Sequence, residues 1–175
     1  MEHSRKDIFN LPCHPDFFRS DVAVFDNFRG LIECLNETTI LMNTSDNFGV
    51  ELAIRIALFK YSLNQGYTPD WENFSIPNIG KSFRESCQKC CRAQGDSLPH
   101  KILRAIVETI KGVNLSAVHA LRSTQGGNSP QKLRGADKAQ RRDIDREFHL
   151  HYWECANSTI ELGLVVYHND FTIPE

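Results

Sequence analysis

Apolar residues recur every three or four positions through the first two thirds of the chain, a period that predicts amphipathic helices. The clearest of these helices is expected to begin after Ser45 or Asp46, either of which can cap its first turn, and to end before Gly66. The apolar positions predicted to face the core are Phe48, Leu52, Ile56, Phe59 and Leu63.

The same period predicts other helices on both sides of this one. Ser97 can cap a helix that carries Pro99 in its first turn, where proline is tolerated, and Gly112 interrupts that helix. A shorter helix is expected to resume near Leu115 and to end by Arg122. The remaining helices are predicted over 17–35 and 80–93.

After residue 140 the apolar period changes to alternation, which indicates β-strands. FHLHYWEC and TIELGLVVYHNDF are predicted to form a hairpin around a turn at 157–158. This register places Leu150 opposite Val165 and His149 opposite Val166, and residues that face each other across a hairpin share one face of the sheet.

Helices followed by strands predict an α+β fold, in which a helical N-terminal region precedes a small antiparallel sheet packed on helices. Residues 1–96 are expected to form a helical domain or extension and 97–175 an α+β domain, unless the two form one continuous domain.

The chain has 175 residues and a net charge of −2, which excludes a uniformly basic nucleic-acid binder. Residues 132–147 nevertheless carry six basic and four acidic side chains, a local charge of +2.

Membrane and secretion signals are not evident in the sequence. No apolar run approaches the roughly 18 residues that a spanning helix requires, so no membrane partner is expected. The charged start MEHSRKDIF is not followed by an apolar segment, which predicts a cytoplasmic protein. Thiols stay reduced in that compartment, so the six cysteines are expected to be free.

A cysteine cluster raises the question of a zinc site. Cys87, Cys90 and Cys91 could supply ligands, since Cys87 and Cys91 lie one helical turn apart. A fourth ligand would have to come from His100, or from the pair Cys13 and His14 near the N-terminus. Strong zinc motifs consist of two spaced pairs, and buried cysteine is common in cores, so no metal and no other cofactor is predicted.

The hairpin carries a pattern that favours phosphodiester chemistry. His149 and His151 share one face of their strand, and the predicted register makes His168 a diagonal neighbour of His149. Histidine can transfer protons near neutral pH, and arginine can hold a phosphate through two contacts, so no metal is required. The alternative is that the histidines are structural polar residues of a half-exposed sheet. The predicted catalytic residues are His149, His151, His168, Tyr152 and Arg142, with Lys132, Arg134, Arg141 and Arg146 binding the substrate.

Residues 98–175 also resemble a known family. A helix with an apolar face, KLRG at 132–135, a strand with RRDI at 141–144, HLHYW and TIELGLVVYHNDF follow one another as in the RelE/ParE superfamily of bacterial toxins. The resemblance implies a small antiparallel sheet on two helices, preceded by a first strand that the sequence does not make obvious. It also implies an endoribonuclease acting on mRNA at the ribosome, or a gyrase poison. Arg141 or Arg142, Tyr152 and His168 match the family's strand arginine, strand tyrosine and terminal basic position.

These observations lead to two main functional hypotheses. The first is a toxin-like, metal-independent endoribonuclease that uses arginine and histidine on the C-terminal sheet, with RNA or the ribosome as its target and an antitoxin or another protein as its partner. The second is a non-enzymatic toxin–antitoxin or phage-defence interaction protein that binds a protein through its helices. A zinc-stabilised nucleic-acid-binding module is a third possibility.

Overall fold

The computed structural model describes residues 24–94, 97–124 and 128–175. Within these ranges five helices precede most of a mixed sheet of six strands, which confirms the predicted α+β class. The helices are α1 (Phe28–Cys34), α2 (Glu37–Asn43), α3 (Asn47–Asn64), α4 (Phe83–Gln94) and α5 (Ser97–Lys111). The strands are β1 (Asn78–Ile79), β2 (Val118–Ala120), β3 (Leu133–Arg134), β4 (Asp137–Asp143), β5 (Phe148–Glu154) and β6 (Ile160–Tyr167).

Asparagine caps determine where the first two helices begin. The Asn27 side chain accepts a hydrogen bond from the Gly30 backbone N–H, so α1 begins one residue after Asn27. Asn36 caps α2 in the same way through Thr39, and this second helix was not predicted. The prediction of a helix over 17–35 is therefore wrong for residues 24–27, which are not helical. The earlier part of that predicted helix lies outside the described residues.

Helix α3 matches its predicted limits. The Asp46 side chain accepts a hydrogen bond from Gly49 N–H at 2.9 Å, and Gly66 follows the helix with a φ of 79°. The predicted apolar face is only partly correct, because Phe48 is exposed. The helix is buried on two sides instead of one, since Val50 and Ile54 belong to the main core and Ile56 and Phe59 to a second cluster.

The chain after α5 forms a strand where a helix was predicted. Gly112 ends α5 with a φ of 62°, and a 3-10 turn over Leu115–Ala117 leads into β2. Strand β2 pairs antiparallel with β4, with Val118 opposite Arg142. This long-range pairing outweighs the local helical pattern, which was too short to stand alone.

The sheet has the order β1-β6-β5-β4-β2, and β3 also pairs with β4. Strand β1 runs parallel to β6, and the other pairs are antiparallel. A close approach completes the β1 edge, where Gly80 N–H donates to Leu162 O at 2.9 Å. A Cβ atom at residue 80 would lie 2.6 Å from that oxygen, so the position requires glycine.

The β5–β6 hairpin has two registers separated by a bulge. Near its open end Leu150 faces Val165 and His149 faces Val166, as predicted. Its loop has three residues, 156–158, instead of two, with Ser158 at a φ of 65°, and a bulge at His151/Tyr152 compensates for the extra residue. Leu162 therefore faces Tyr152 and not the histidine side of the sheet.

Helices α4 and α5 pack on one face of the sheet, called the inner face here, and α1, α2 and α3 pack mainly against other helices. Phe148, Leu150 and Val165 point into this layer and join Leu41 and Ile102 in a single apolar core. The ranges 1–96 and 97–175 thus both contribute to one core. No helix within the described ranges is long and apolar enough to cross a membrane.

The opposite, outer face of the sheet is partly covered by the C-terminal segment, residues 169–175. Phe171 and Ile173 pack against Trp153 there, and Trp153 Nε1–H donates to Pro174 O at 2.9 Å. The histidine-bearing face therefore lies under the C-terminal segment at one end and opens toward solvent at the other.

Candidate functional site

Strand pairing collects charged and polar side chains on the outer face of the sheet. Arg141 faces His151 and Asp143 faces His149 across β4 and β5, and His119 faces Arg141 from β2. Alternate residues of a strand share a face, so these five side chains form two adjacent rows. The site is thus built from three strands that are distant in sequence.

An open cleft of about 670 Å³ lies at one end of these rows. Three arginines, two histidines and two aspartates line it together with Asn114 and Ile144. The ionisable residues come from α5 (Arg104), β4 (Arg141, Asp143), the next loop (Asp145, Arg146), β5 (His149) and the position after β6 (His168). The Lys101 ammonium lies 2.8 Å from the Asp145 carboxylate, which leaves the arginines to dominate the local charge.

His149 lies at the floor of the cleft. Its side chain is 3% exposed, and its Nε2 atom lies 3.1 Å from Oδ1 of Asp143. An N–H bond on His149 Nε2 would not point toward this oxygen closely enough to form a hydrogen bond. Asp143 Oδ1 therefore has no hydrogen-bond partner within the described ranges. Burial and the positive charge of Arg141 lower the pKa of His149 to about 4, while Asp143 opposes this change. The imidazole is therefore neutral at pH 7. Its Nδ1 atom is buried without a hydrogen-bond partner within the described ranges, so a substrate hydroxyl reaches this nitrogen only if the ring or its neighbours move.

His168 completes a histidine pair at the mouth of the cleft. Its ring centroid lies 5.0 Å from that of His149, and its side chain is exposed. The diagonal relationship predicted from the hairpin register is therefore present.

His151, in contrast, is closed off from solvent. It is fully buried, and its Nδ1–H donates to Thr172 O of the C-terminal segment at 2.7 Å. Burial lowers the pKa of His151, although its hydrogen bond to Thr172 opposes that change. A substrate in the cleft cannot reach this ring. His151 therefore lies beside His149 on the same face of β5 without being open to the substrate.

Arg141 and Arg146 both line the cleft, as their predicted substrate-binding role requires. Arg146 is exposed in the loop after β4. Arg141 Nε is buried without a hydrogen-bond partner within the described ranges. Unpartnered buried donors are rare in native proteins, and a bound anion is one way to satisfy this one.

The other two predicted arginines hold the fold together instead of facing the cleft. Arg142 is 1% exposed, and its guanidinium bonds Glu108 Oε2 at 3.0 Å and the Val113 carbonyl at 2.8 Å. Arg134 binds Glu161 at 2.8 Å and lies over the Trp153 ring. Its hydrogen bond to Glu161 raises the pKa of Arg134. Both guanidinium groups are thus held by partners within the protein, and neither lines the cleft.

Tyr152 and Lys132 also lie away from the cleft. Tyr152 points to the inner face, where burial raises its pKa to about 12, so it is not a base for the outer-face site. Lys132 lies near Asp170 of the C-terminal segment. Burial raises the pKa of the Asp170 carboxyl, but hydrogen bonds from Thr172 outweigh it and lower that pKa, and the charge of Lys132 adds a smaller lowering effect. Neither side chain is within the group that lines the cleft.

The cysteine cluster lies in the core. Cys87, Cys90 and Cys91 are buried on α4, and Cys90 Sγ contacts the Val165 carbonyl oxygen at 3.4 Å. His100 is exposed on α5, and Cys13 and His14 lie outside the described residues. Across 24–94, 97–124 and 128–175, no group of three or more His, Cys, Asp or Glu side chains is arranged to hold a metal ion.

Five polar residues near the site were not identified from the sequence, and one of them is Asp145 in the loop after β4. Asp143 follows Arg141 by two positions, so alternation along a strand could have placed it on the same face. His119, Arg104 and Asn114 gave no such signal, because β2 was predicted as helix and the contact of α5 with β4 is long-range.

Comparisons of the chain with protein-family models, with curated proteins and with solved structures found no significant match. The function must therefore be argued from the cleft itself.

Proposed function

We propose that the protein is a toxin-like, metal-independent endoribonuclease whose active site is the outer-face cleft. The observation that carries this proposal is the neutral, buried His149 beside the exposed His168, with Arg141 and Arg146 in the same cleft. A base, an acid and cationic phosphate ligands are the groups that RNA cleavage by its own 2′-hydroxyl requires.

In the proposed reaction His149 takes the proton of a ribose 2′-hydroxyl as its oxygen forms a bond to phosphorus. The bond between phosphorus and the 5′-oxygen breaks, and a protonated His168 donates a proton to that leaving oxygen. The products are a 2′,3′-cyclic phosphate and a free 5′-hydroxyl. Arg141 stabilises the charge that develops on the phosphoryl oxygens, and Arg146 holds the neighbouring backbone.

The order of elements lends support to a toxin-like interpretation. Strand β1 precedes the α4–α5 pair and is followed by β2 to β6, so a short strand occupies the position that the RelE/ParE resemblance implies. The proposed target is accordingly RNA, either free or on the ribosome, and the proposed partner is a neutralising protein.

Induced expression with RNA integrity followed over time tests this proposal. We expect growth arrest and RNA fragmentation with the parent chain, and relief of both by the double change His149→Ala with Arg141→Ala. Arg141 is used because Arg142→Ala removes a buried ion-pair partner and would lower the stability of the protein, so that a loss of activity could not be separated from a loss of structure. Intact RNA and normal growth with the folded parent chain would overturn the proposal.

That outcome would favour the alternative of a non-enzymatic interaction protein. Large apolar side chains around α1 remain exposed, and such side chains are typical of protein-binding surfaces when they form a patch. They are Val24, Phe25, Phe28 and Leu31. Replacing Phe25 and Leu31 by Ser would then abolish co-purification of a partner in a fixed ratio.

A further inference from the structure

The carboxylate of Asp143 lies between two imidazoles. Its Oδ1 atom is 3.1 Å from Nε2 of His149, and its Oδ2 atom is 3.4 Å from Nε2 of His119. The three residues belong to β5, β4 and β2, so the sheet itself fixes their spacing. Asp143 is thus in contact with both histidines, and neither contact has hydrogen-bond geometry.

The surroundings of His149 oppose a positive charge. Burial disfavours the protonated imidazole most, and Arg141 on β4, His168 after β6 and His151 on β5 add to this effect. The negative charge of Asp143 instead favours the protonated imidazole. The other charged groups of the cleft are Arg104, Asp145 and Arg146. A base in this position needs a nearby anion, because it becomes cationic as it takes the substrate proton.

We propose that Asp143 is a positioning residue whose negative charge, 3.1 Å from Nε2 of His149, stabilises the protonated form of that imidazole during proton transfer, and that the adjacent His119 helps to keep Asp143 in this place. This inference rests on the proposed function. An opposite charge this close to an imidazole favours its cationic form and so raises its basicity.

Asp143→Asn is the direct test, because it removes the charge with little change in shape. We expect the pKa of His149, followed by NMR, to fall below its value in the parent protein. With single-stranded RNA we expect kcat to drop about 10- to 100-fold with little change in KM. His119→Gln should shift both quantities in the same direction by a smaller amount.

Asp137→Asn is the matched control. Asp137 lies on the same strand and is also paired, through its 3.0 Å contact with Arg134, but it is not part of the cleft. We expect this change to leave the pKa of His149 and kcat as in the parent protein.

The outcomes separate the inference from the proposed function. An unchanged His149 pKa in Asp143→Asn would overturn the inference even if the parent protein cleaves RNA. Equal effects of Asp143→Asn and Asp137→Asn on kcat would also overturn it, since they would reflect a general loss of structure. Absence of RNA cleavage by the parent protein would instead overturn the proposed function, while the NMR titration would still report the coupling.

Discussion

Arg142 Nη1 lies 3.0 Å from Glu108 Oε2, which ties β4 to α5 beneath the inner face of the sheet. The next residue toward the N-terminus, Arg141, points to the outer face and lines the cleft. Two adjacent arginines therefore have different surroundings, because side chains alternate along a strand. This alternation separates a structural arginine from a candidate substrate-binding one.

Arg142→Ala should consequently destabilise the protein. Removing one partner of a buried ion pair leaves the other uncompensated, and the expected loss in the free energy of unfolding is about 3 kcal/mol. Arg141→Ala is the control. Because the Arg141 side chain has no hydrogen-bond or ion-pair partner within the described residues, its removal should change the free energy of unfolding by less than about 1 kcal/mol. Urea denaturation measures both, and equal losses would contradict the assigned contacts.

Gly80→Ala should weaken the edge of the sheet. The new Cβ atom would lie 2.6 Å from the Leu162 carbonyl oxygen, so β1 must move away from β6. We expect a loss of about 2 kcal/mol in the free energy of unfolding, within the range of strained backbone substitutions. Gly30→Ala in α1 is the control, since the nearest atom would be 3.7 Å away, and it should be neutral or slightly stabilising. A Gly80→Ala protein as stable as the control would be inconsistent with this packing.

Acid should reduce stability through His149. The pKa of His149 is about 4 in the folded protein, whereas in the unfolded chain it takes the ordinary histidine value of 6.5. As the pH falls, the unfolded chain therefore binds a proton at this residue before the folded protein does. The free energy of unfolding should therefore decrease between about pH 6.5 and pH 4, by up to about 3 kcal/mol from this residue. His149→Gln should flatten this dependence, leaving the part due to His151, whose pKa is also lowered by burial. Urea denaturation at several pH values measures the slopes, and identical slopes for both proteins would refute the assignment.

The fold was predictable where local signals were strong. Asp46, Gly66 and the alternation of β5 gave correct elements, because caps and strand periodicity act over a few residues. The short strand β2 was missed, since its conformation depends on pairing with β4. The three-residue hairpin loop was missed as well, and its bulge moved Leu162 to the other face.

The candidate site was predictable only in part. Alternation placed His149 and His151 on one face, and the hairpin register brought His168 to His149. Sequence periodicity did not reveal that Thr172 covers His151 or that Glu108 holds Arg142. Both depend on contacts between segments far apart in the chain.

His149 and His168 are proposed to cleave RNA together without a metal. The most direct measurement uses purified protein and an end-labelled single-stranded RNA in the presence of a chelator. We expect fragments that end in a 2′,3′-cyclic phosphate, no cleavage at a position that carries a single 2′-deoxy substitution, and a rate at least about 100-fold lower for His149→Ala or His168→Ala. His100→Ala, which changes an exposed histidine outside the cleft, should retain the parent rate. Intact RNA with the folded parent protein, or cleavage that both histidine changes leave unaltered, would contradict the claim.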